Sequence, residues 1–380
     1  LEAPLSDVGV IFGGPSPEHD VSVLTGLQAA RGLQGSARGG VRALYWSKLG
    51  EWFEVDPALE ATAFVEGVPK GAAPLALAIG ADGGFVAAGG RFAKAKPIEL
   101  SAAVICCHGT PGEDGTLQGA LDLAGIAYTG PTLAGAAIGM DKLAFGAVMA
   151  AAGLPVLERI ALTESTTDVG FEGPYIVKPR FGGSSIGIDV VGDLATARAR
   201  LSANAHLAAG AVLEPYRSDY FDLQVGVRTW PELELSAIER PLRTPRAQGA
   251  AGEPEILGYA DKYVGGEGMA SAPRELPADL DASLEARLRE AARAVAHLAS
   301  VRGVTRIDFL SDGNELVVNE INTIPGSLAR YLWIEPAVPF AQLLDDLLTE
   351  AQRRPTHRYS AAGADGLVLR GASSIAAKLA

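Results

Sequence analysis

Thr305-Arg306-Ile307-Asp308-Phe309 and, beyond the pair Asp312-Gly313, Asn319-Glu320-Ile321-Asn322 read together as one hairpin. Successive side chains of a strand point to opposite faces. Arg306 and Asp308 therefore share one face, and Ile307 and Phe309 the other. Glu320 and Asn322 share a face, with Asn319 and Ile321 behind them. An Asp-Gly pair between two such runs is a strong turn signal. With the apolar faces in a core, one cation and three oxygen-bearing side chains converge on the open face. Carboxylate and amide oxygens suit a hard cation such as Mg²⁺, which takes the rest of its shell from water and substrate phosphates. The plain alternative is a surface hairpin with solvated polar side chains. The opposite alternation of the two runs argues against it, because a one-residue slip would turn every apolar side chain to water.

Outward from this hairpin, the chain reads as a series of α/β units. Near the start, Val8–Phe12 is a short apolar strand, Gly13–Pro17 a glycine-rich turn, and 22–33 a helix. Ala102–Cys106 is a second apolar strand and ends in the polar loop His108–Gly115. Strand, turn and helix in repetition imply an open parallel sheet, which binds ligands at the carboxyl ends of its strands. Glu18 and the His108–Gly115 loop sit at such ends. The stretch from 45 to 96 carries little signal and is expected to form hairpins and loops. A second unit opens near Pro131. Asp141 caps a helix from Lys142 to about Ala152, which Gly153 and Pro155 terminate. Tyr175–Pro179 is a strand, and Ile186–Val191 is expected to return as another. A third unit begins near Asp222 and holds the loop at 259–267, a long helix and the hairpin. In that helix Leu284, Leu288, Ala291, Val295 and Leu298 recur at helical spacing. A last helix is expected at 340–350.

Length and charge bound the function. At 380 residues, two or three domains are expected. A formal net charge of −13 argues against a nucleic-acid surface, while leaving room for a local basic pocket that holds a small anion. No apolar run is long enough to span a membrane, and no cleavable signal segment opens the chain. Cys106 and Cys107 are adjacent and read as buried, reduced residues of a cytoplasmic protein. Leu1-Glu2 reads as a cloning scar. The tail from about Gly363 reads as vector-encoded or loosely attached.

Several segments carry chemistry. Gly182-Gly183-Ser184-Ser185 joins two expected strands and lacks the Gly-Lys-Ser/Thr ending of a P-loop. Its small residues let backbone N–H groups approach phosphate oxygens, and its hydroxyls add donors. Lys178, at the end of a buried apolar strand, needs an anionic partner. Lys142 at a helix start is a second phosphate candidate, with a solvated lysine as the alternative. Glu214 ends the apolar run Ala211–Leu213, where its carboxylate can accept from an adenine amino group or ribose hydroxyls, or simply be solvated. His108 is a candidate substrate contact in a loop at a sheet end. No zinc pattern and no Gly-x-Ser-x-Gly elbow is present.

Taken in order, these segments resemble the D-alanine–D-alanine ligase family of the ATP-grasp superfamily over roughly residues 8–350. The likeness rests on Phe12-Gly-Gly-Pro-Ser-Pro-Glu18-His-Asp-Val-Ser22, His108-Gly-Thr-Pro-Gly-Glu-Asp-Gly-Thr-Leu-Gln118-Gly119 and Gly139-Met-Asp-Lys142. It continues through Val177-Lys178-Pro-Arg-Phe-Gly-Gly-Ser184-Ser185-Ile-Gly187, Asp261-Lys262-Tyr263, Arg306-Ile-Asp308 and Asn319-Glu320-Ile-Asn322-Thr-Ile-Pro-Gly326. The resemblance implies a three-domain ATP-grasp architecture with an N-terminal open parallel sheet. The expected divisions are 1–130, 131–217 and 218–350, with a tail at 351–380. It implies ATP between the second and third units, with Lys142 and Lys178 on its phosphates, Ser184 and Ser185 closing over them, and Glu214 and Asp222 on adenine and ribose. Asp308, Glu320 and Asn322 would bind two Mg²⁺ ions, or Mn²⁺. Glu18 would hold the first substrate's ammonium group. Arg306 and the Gly326 N–H would stabilise the oxyanion. Lys262 and Tyr263 would lie on a loop that protects an acyl-phosphate from water. The implied partners are small amino acids and a second copy of the chain.

The chain also departs from the family pattern. The family serine that helps bind the second substrate's carboxylate falls on Tyr331, leaving Ser327 or Arg330 to take that role. The family acid four residues after the phosphate lysine is Gly182. The ribose-binding acid is displaced by one, to Asp222, and the loop middle Val264–Glu267 is unusual. The expected function is ATP- and Mg²⁺-dependent joining of two D-alanines for peptidoglycan precursors. The alternatives are a specialised ligase of antibiotic biosynthesis or resistance with another second substrate, and a nucleotide-binding protein without turnover.

Overall fold

The computed structural model describes residues 6–35, 38–88, 97–242, 273–354, 356, 361–372 and 374–375. Strands β1 (Asp7–Gly13), β2 (Val41–Trp46), β3 (Trp52–Val55), β4 (Ala73–Ala78), β5 (Gly84–Ala87) and β6 (Leu100–Ile105) form one sheet in the order β5-β4-β3-β2-β1-β6. β1 pairs parallel with β6, as the two apolar runs predict, and also with β2, a strand the sequence reading did not pick out. The other half is antiparallel. The low-signal stretch thus supplies hairpin strands, and the sheet is mixed rather than wholly parallel. Val10, Ile11, Phe12, Val104 and Ile105 are buried on this sheet, as expected of parallel strands covered on both faces.

β7 (Ile160–Leu162), β8 (Tyr175–Pro179), β9 (Asp189–Val191) and β10 (Ala211–Pro215) form a second sheet in the order β7-β10-β8-β9. The return strand expected over 186–191 is only the three residues of β9, because Gly187, inside the expected run, adopts left-handed backbone at φ 75°. Tyr175, Val177, Val191 and Leu213 make a small core on one face.

β11 (Phe221–Arg228), β12 (Glu234–Pro241), β13 (Arg274–Glu275), β14 (Val304–Ser311) and β15 (Leu316–Asn322) form a third sheet in the order β13-β12-β11-β14-β15. Its core face, with Leu223, Val225, Ile307, Phe309 and Ile321, packs on the helix Ala282–Leu298. Leu284, Leu288, Ala291 and Val295 of that helix are buried, as their spacing predicts. Phe145 and Met149 of the helix Lys142–Ala151 enter the same core. The last helix, Phe340–Arg353, buries Leu343, Leu344, Leu347 and Leu348 in the core of the first sheet. The chain therefore returns to its beginning, which fixes the first sheet beside the ends of the third.

Candidate active site

The open face of the third sheet carries a row of polar side chains. Glu239 opposes Gln224, Gln224 opposes Asp308, and Asp308 opposes Glu320, so the row crosses β12, β11, β14 and β15. The neighbouring register pairs Gly226 with Arg306 and Arg306 with Asn322. Arg306 forks onto Asp308, with Nε donating to Oδ1 at 2.7 Å and Nη2 to Oδ2 at 2.8 Å. Asn322 Nδ2 donates to Asp308 Oδ2 at 3.2 Å, and Gln224 Nε2 does so at 3.3 Å. The expected face-sharing of Arg306 with Asp308 and of Glu320 with Asn322 is thus observed.

Asn319 departs from that expectation. Pairing passes from Asp308↔Glu320 to Phe309↔Val318, which makes Asn319 the extra residue of a β-bulge. Bulges re-aim side chains beside functional sites. Here the amide comes round to the cations, and its Oδ1 accepts from Lys178 Nζ at 3.2 Å.

Lys178 and Glu214 lie on adjacent strands, two registers apart on one face, because Lys178 opposes Val212. Lys178 Nζ donates to Glu214 Oε2 at 2.7 Å. Arg159, which sequence reading missed, lies 3.3 Å from Glu214 Oε1. It also donates to the carbonyls of Lys142 and Asn319. Its nearest sequence signal is Gly146 in the facing helix, where a Cβ would fall 2.5 Å from Arg159 Cδ. Burial alone would raise the Glu214 carboxyl, but the cations Lys178 and Arg159 outweigh it and hold the carboxyl below its usual range. Glu214, expected at adenine, also pairs with two cations. Asp141 caps the helix Lys142–Ala151 through the N–H groups of Leu143 and Ala144. That cap places Lys142, whose Nζ donates to the Gly182 carbonyl and lies 3.5 Å from Glu320 Oε2. The lysines expected at phosphates thus meet the hairpin, Lys142 from a helix start and Lys178 from the second sheet. Asp222 lies on the same face of β11 as Gln224, opposite Leu310 and farther along the strand.

Asp308, Glu320 and Asn322 offer two carboxylates and one amide on a common face. Among the described residues no three His, Cys, Asp or Glu cluster for a metal. The expected set therefore depends on the Asn322 amide oxygen, and its hard-oxygen chemistry fits Mg²⁺.

The first sheet meets the glycine-rich loop. Ser184 Oγ donates to Glu18 Oε2. A cleft between them is lined by Ser16, Glu18, Gly109, Thr110, Gly182 and Gly183, among others. Gly109 has φ +67°, and a Cβ there would lie 2.7 Å from Glu18 Oε1, so a side chain would displace the carboxylate.

His108 is buried, and the protein itself engages both ring nitrogens. Nδ1 donates to the Ile324 carbonyl at 2.7 Å, which leaves Nε2 to accept from Thr25 Oγ1 at 2.8 Å. Thr25 Oγ1 accepts in turn from the Ser327 N–H at 3.0 Å. The expected substrate contact is therefore a positioning residue for the Ile324–Ser327 segment. Burial pushes the imidazole down to about 4. Glu113, unassigned by sequence, accepts from the Ile324 N–H at 2.8 Å and from Thr323 Oγ1 at 3.3 Å.

These contacts hold an unusual turn. In Gly326–Leu332, Ser327, Leu328 and Ala329 have φ of 52°, 50° and 50°. Left-handed backbone costs a non-glycine residue about 1–2 kcal/mol, and such strain concentrates at functional sites. The turn carries Tyr331 to the Arg306 side chain, whose Nη1 donates to its hydroxyl at 3.4 Å. It turns Arg330 the other way. Arg330 is exposed and stacks over Phe340 at 5.7 Å, so it is not at the site, contrary to expectation. Two further residues that sequence reading missed stand beside Tyr331. Arg274 lies over its ring at 4.8 Å, and Arg274 Nη1 lies 2.9 Å from Glu239 Oε1. Lys262 and Tyr263 lie outside the described residues.

The family described as D-ala D-ala ligase N-terminus matches residues 7–131, and that described as D-ala D-ala ligase C-terminus matches residues 147–349. D-alanine–D-alanine ligase B of Bradyrhizobium diazoefficiens is 32% identical over 372 residues, covering 92% of this chain and 94% of that protein. A D-alanine–D-alanine ligase of Arthrobacter sp. is 32% identical over 384 residues, covering 92% and 94%. In three dimensions the chain is similar to the D-alanine–D-alanine ligase from Coxiella burnetii, with a TM-score of 0.74 and 22% identity over 93% of this chain and 95% of that one. It is also similar to the VanG D-Ala:D-Ser ligase from Enterococcus faecalis, with a TM-score of 0.71 and 24% identity over 91% and 99%. The chain belongs to the D-alanine–D-alanine ligase family and has its ATP-grasp fold.

Proposed function

We propose that this protein is an ATP-dependent ligase that joins two D-alanines through an acyl-phosphate. The observation that carries the reading is the convergence of Lys142, from a helix start, on Glu320 and of Lys178, from the second sheet, on the neighbouring Asn319, beside the Asp308–Glu320–Asn322 face. Two cations opposite a patch of hard oxygen ligands suit a metal–triphosphate better than either component alone. The relatives named D-alanine–D-alanine ligase support the substrate.

In this reading Lys142 and Lys178 hold the phosphates, and Ser184 and Ser185 close over them. Glu18 orients the first substrate's ammonium group, placing its carboxylate toward the γ-phosphate. Asp308, Glu320 and Asn322 would hold two Mg²⁺ ions, whose chemistry is to neutralise charge developing on the transferring phosphoryl group. Arg306 and the Gly326 N–H stabilise the oxyanion when the second amine attacks and phosphate leaves. Glu214 and Asp222 serve the nucleoside, and Lys262 and Tyr263 exclude water. We assign the divisions 1–130, 131–217 and 218–350 to substrate, nucleotide and metal sides. The protein is read as a cytoplasmic homodimer. No described helix is long and apolar enough to cross a membrane.

The test is phosphate release with ATP, Mg²⁺ and D-alanine, with the product identified by mass. D-Alanyl-D-alanine at turnover numbers ordinary for enzymes supports the reading, and ATP binding with no amino-acid-dependent phosphate release overturns it. Tyr331 in place of the family serine favours a second reading, a ligase with another acceptor, which a panel of D-amino and D-hydroxy acids separates.

A further inference from the structure

Glu214 is 1% exposed, and the order of the second sheet puts a cation on each side of it. On the β8 side, Lys178 Nζ donates to Oε2 at 2.7 Å. On the β7 side, Ile160 opposes Leu213, and continuation of that antiparallel register brings Arg159 beside Glu214, with Nε 3.3 Å from Oε1. The two cations are held differently. Arg159 Nη1 donates to the Lys142 carbonyl at 2.9 Å, and Nη2 donates to the Asn319 carbonyl at 3.3 Å. Its Cδ passes across Gly146, where a Cβ would lie 2.5 Å away. The guanidinium is therefore pinned between a helix start and the β15 bulge. Among the described residues Lys178 Nζ bonds to side chains alone, Glu214 and the Asn319 amide, and it sits on a flexible four-carbon stem. A lysine that serves phosphates gives up part of its bond to Glu214, and a buried carboxylate left without a cation is costly.

Resting on the ligase reading above, we propose that Arg159 is a positioning residue for nucleotide binding, which remains as the Glu214 counter-ion when Lys178 turns from that carboxylate to the phosphates of ATP. Its two carbonyl bonds keep the guanidinium in place while the ammonium moves. Arg159 Nε and Glu214 Oε1 are close, yet neither has a hydrogen-bond partner among the described residues. Their pairing is thus one of charge, and it leaves Oε1 as an open acceptor. An open acceptor suits a donor, such as an amino or hydroxyl group of the nucleoside. Arg159 in this way balances the Glu214 charge without occupying the oxygen that the nucleoside needs. Burial raises the Glu214 carboxyl, and Lys178 and Arg159 together hold it down. With Arg159 pinned, one of those two cations stays when the other leaves.

The experiment is a calorimetric titration with ATP and Mg²⁺, without amino acid, of the wild type, Arg159→Gln, Arg159→Lys, Glu214→Gln and the double variant Arg159→Gln/Glu214→Gln. Coupling between contacting charges of the usual size corresponds to about 10- to 100-fold in affinity. Arg159→Gln is expected to weaken ATP binding by that factor in the wild-type background. In the Glu214→Gln background the same substitution should change affinity by less than about threefold, because no carboxylate charge is left to balance. Arg159→Lys, which keeps the charge, should recover most of the loss. A purely structural role for Arg159 predicts an equal loss in both backgrounds, and that result overturns the proposal, as does unchanged affinity in Arg159→Gln. If Arg159→Gln does not fold, Gly146→Ala takes its place, since the added methyl displaces the guanidinium and leaves both charges present. The same dependence on Glu214 is then expected, and its absence overturns the proposal. If the wild type binds ATP but makes no D-alanyl-D-alanine, the D-alanine reading fails alone and the Arg159 comparison stands. A wild type that binds no ATP overturns both.

Discussion

The two ends of the polar row differ in how they are built. At the Glu320 end, Lys142, Lys178, Arg159, Glu214 and Asn319 interlock across two sheets, and each charge has an opposite charge or a polar oxygen beside it. At the Glu239 end, acidic and basic side chains from one sheet gather around a tyrosine on a left-handed turn, and two buried oxygens find no donor among the described residues. The first end is a pre-formed charge network, which under the proposed function would cradle a polyanion. The second leaves two buried acceptors unsatisfied, a less complete electrostatic arrangement.

The contrast can be broken most directly at its Glu320 end. Glu320→Gln removes one carboxylate from the metal face and is expected to lower D-alanine-dependent phosphate release by about a thousandfold or more. Turnover within tenfold of the wild type would remove the metal role. Lys178→Met should weaken ATP binding by about a hundredfold, measured by nucleotide titration. It should also lower the melting midpoint, because Glu214 is left with Arg159 as its remaining ion-pair partner and a buried carboxylate short of a cation is destabilising.

A smaller effect sharpens the comparison from behind. His108 supports the Ile324–Ser327 segment between the two ends, and its folded pKa of about 4 lies below the ordinary 6.5. The folded state thus disfavours the proton. The stabilisation is complete above about pH 6.5 and is lost as pH falls toward 4, at most about 3 kcal/mol in all. Urea midpoints at pH 7 and pH 4.5 should differ less in His108→Asn than in the wild type. An equal acid loss in both would remove His108 as its source. The smallest effect is at Arg330. Arg330→Ala should change acceptor KM by less than about twofold, since the side chain is exposed on Phe340 and turned from the site. A tenfold rise would return Arg330 to the acceptor pocket.

The polar face of the hairpin was legible in the sequence because Arg306, Asp308, Glu320 and Asn322 alternate with core residues at the period of a strand. Asn319 was misplaced by the same rule, because the bulge that moves it leaves no mark in the local pattern. Lys178 signalled an anionic partner through its position at the end of an apolar strand, but nothing identified that partner as Glu214 with Arg159. His108 was picked out by its polar loop, and its role as a buried brace depends on the Ile324 carbonyl, more than two hundred positions along the chain. Arg330 and Tyr331 are neighbours that any strand or helix reading treats alike. Three consecutive left-handed residues send them to opposite sides.

Residue order alone settled the features that arise from local periodicity and chemical type. These include the parallel start of the first sheet, the capped helix at Lys142, the hairpin and its polar face, and the family to which the motifs belong. Folding decided the features that arise from long-range pairing. Glu239, Arg274 and Tyr331 come from separate strands and a turn, and no spacing connects them. Their meeting depends on sheet order, on burial that makes an unpaired charge costly, and on the strained turn that the first sheet holds in place. Side-chain alternation acts over a few residues and can be read directly, whereas burial and ion pairing act through space and exist only once the three sheets have come together.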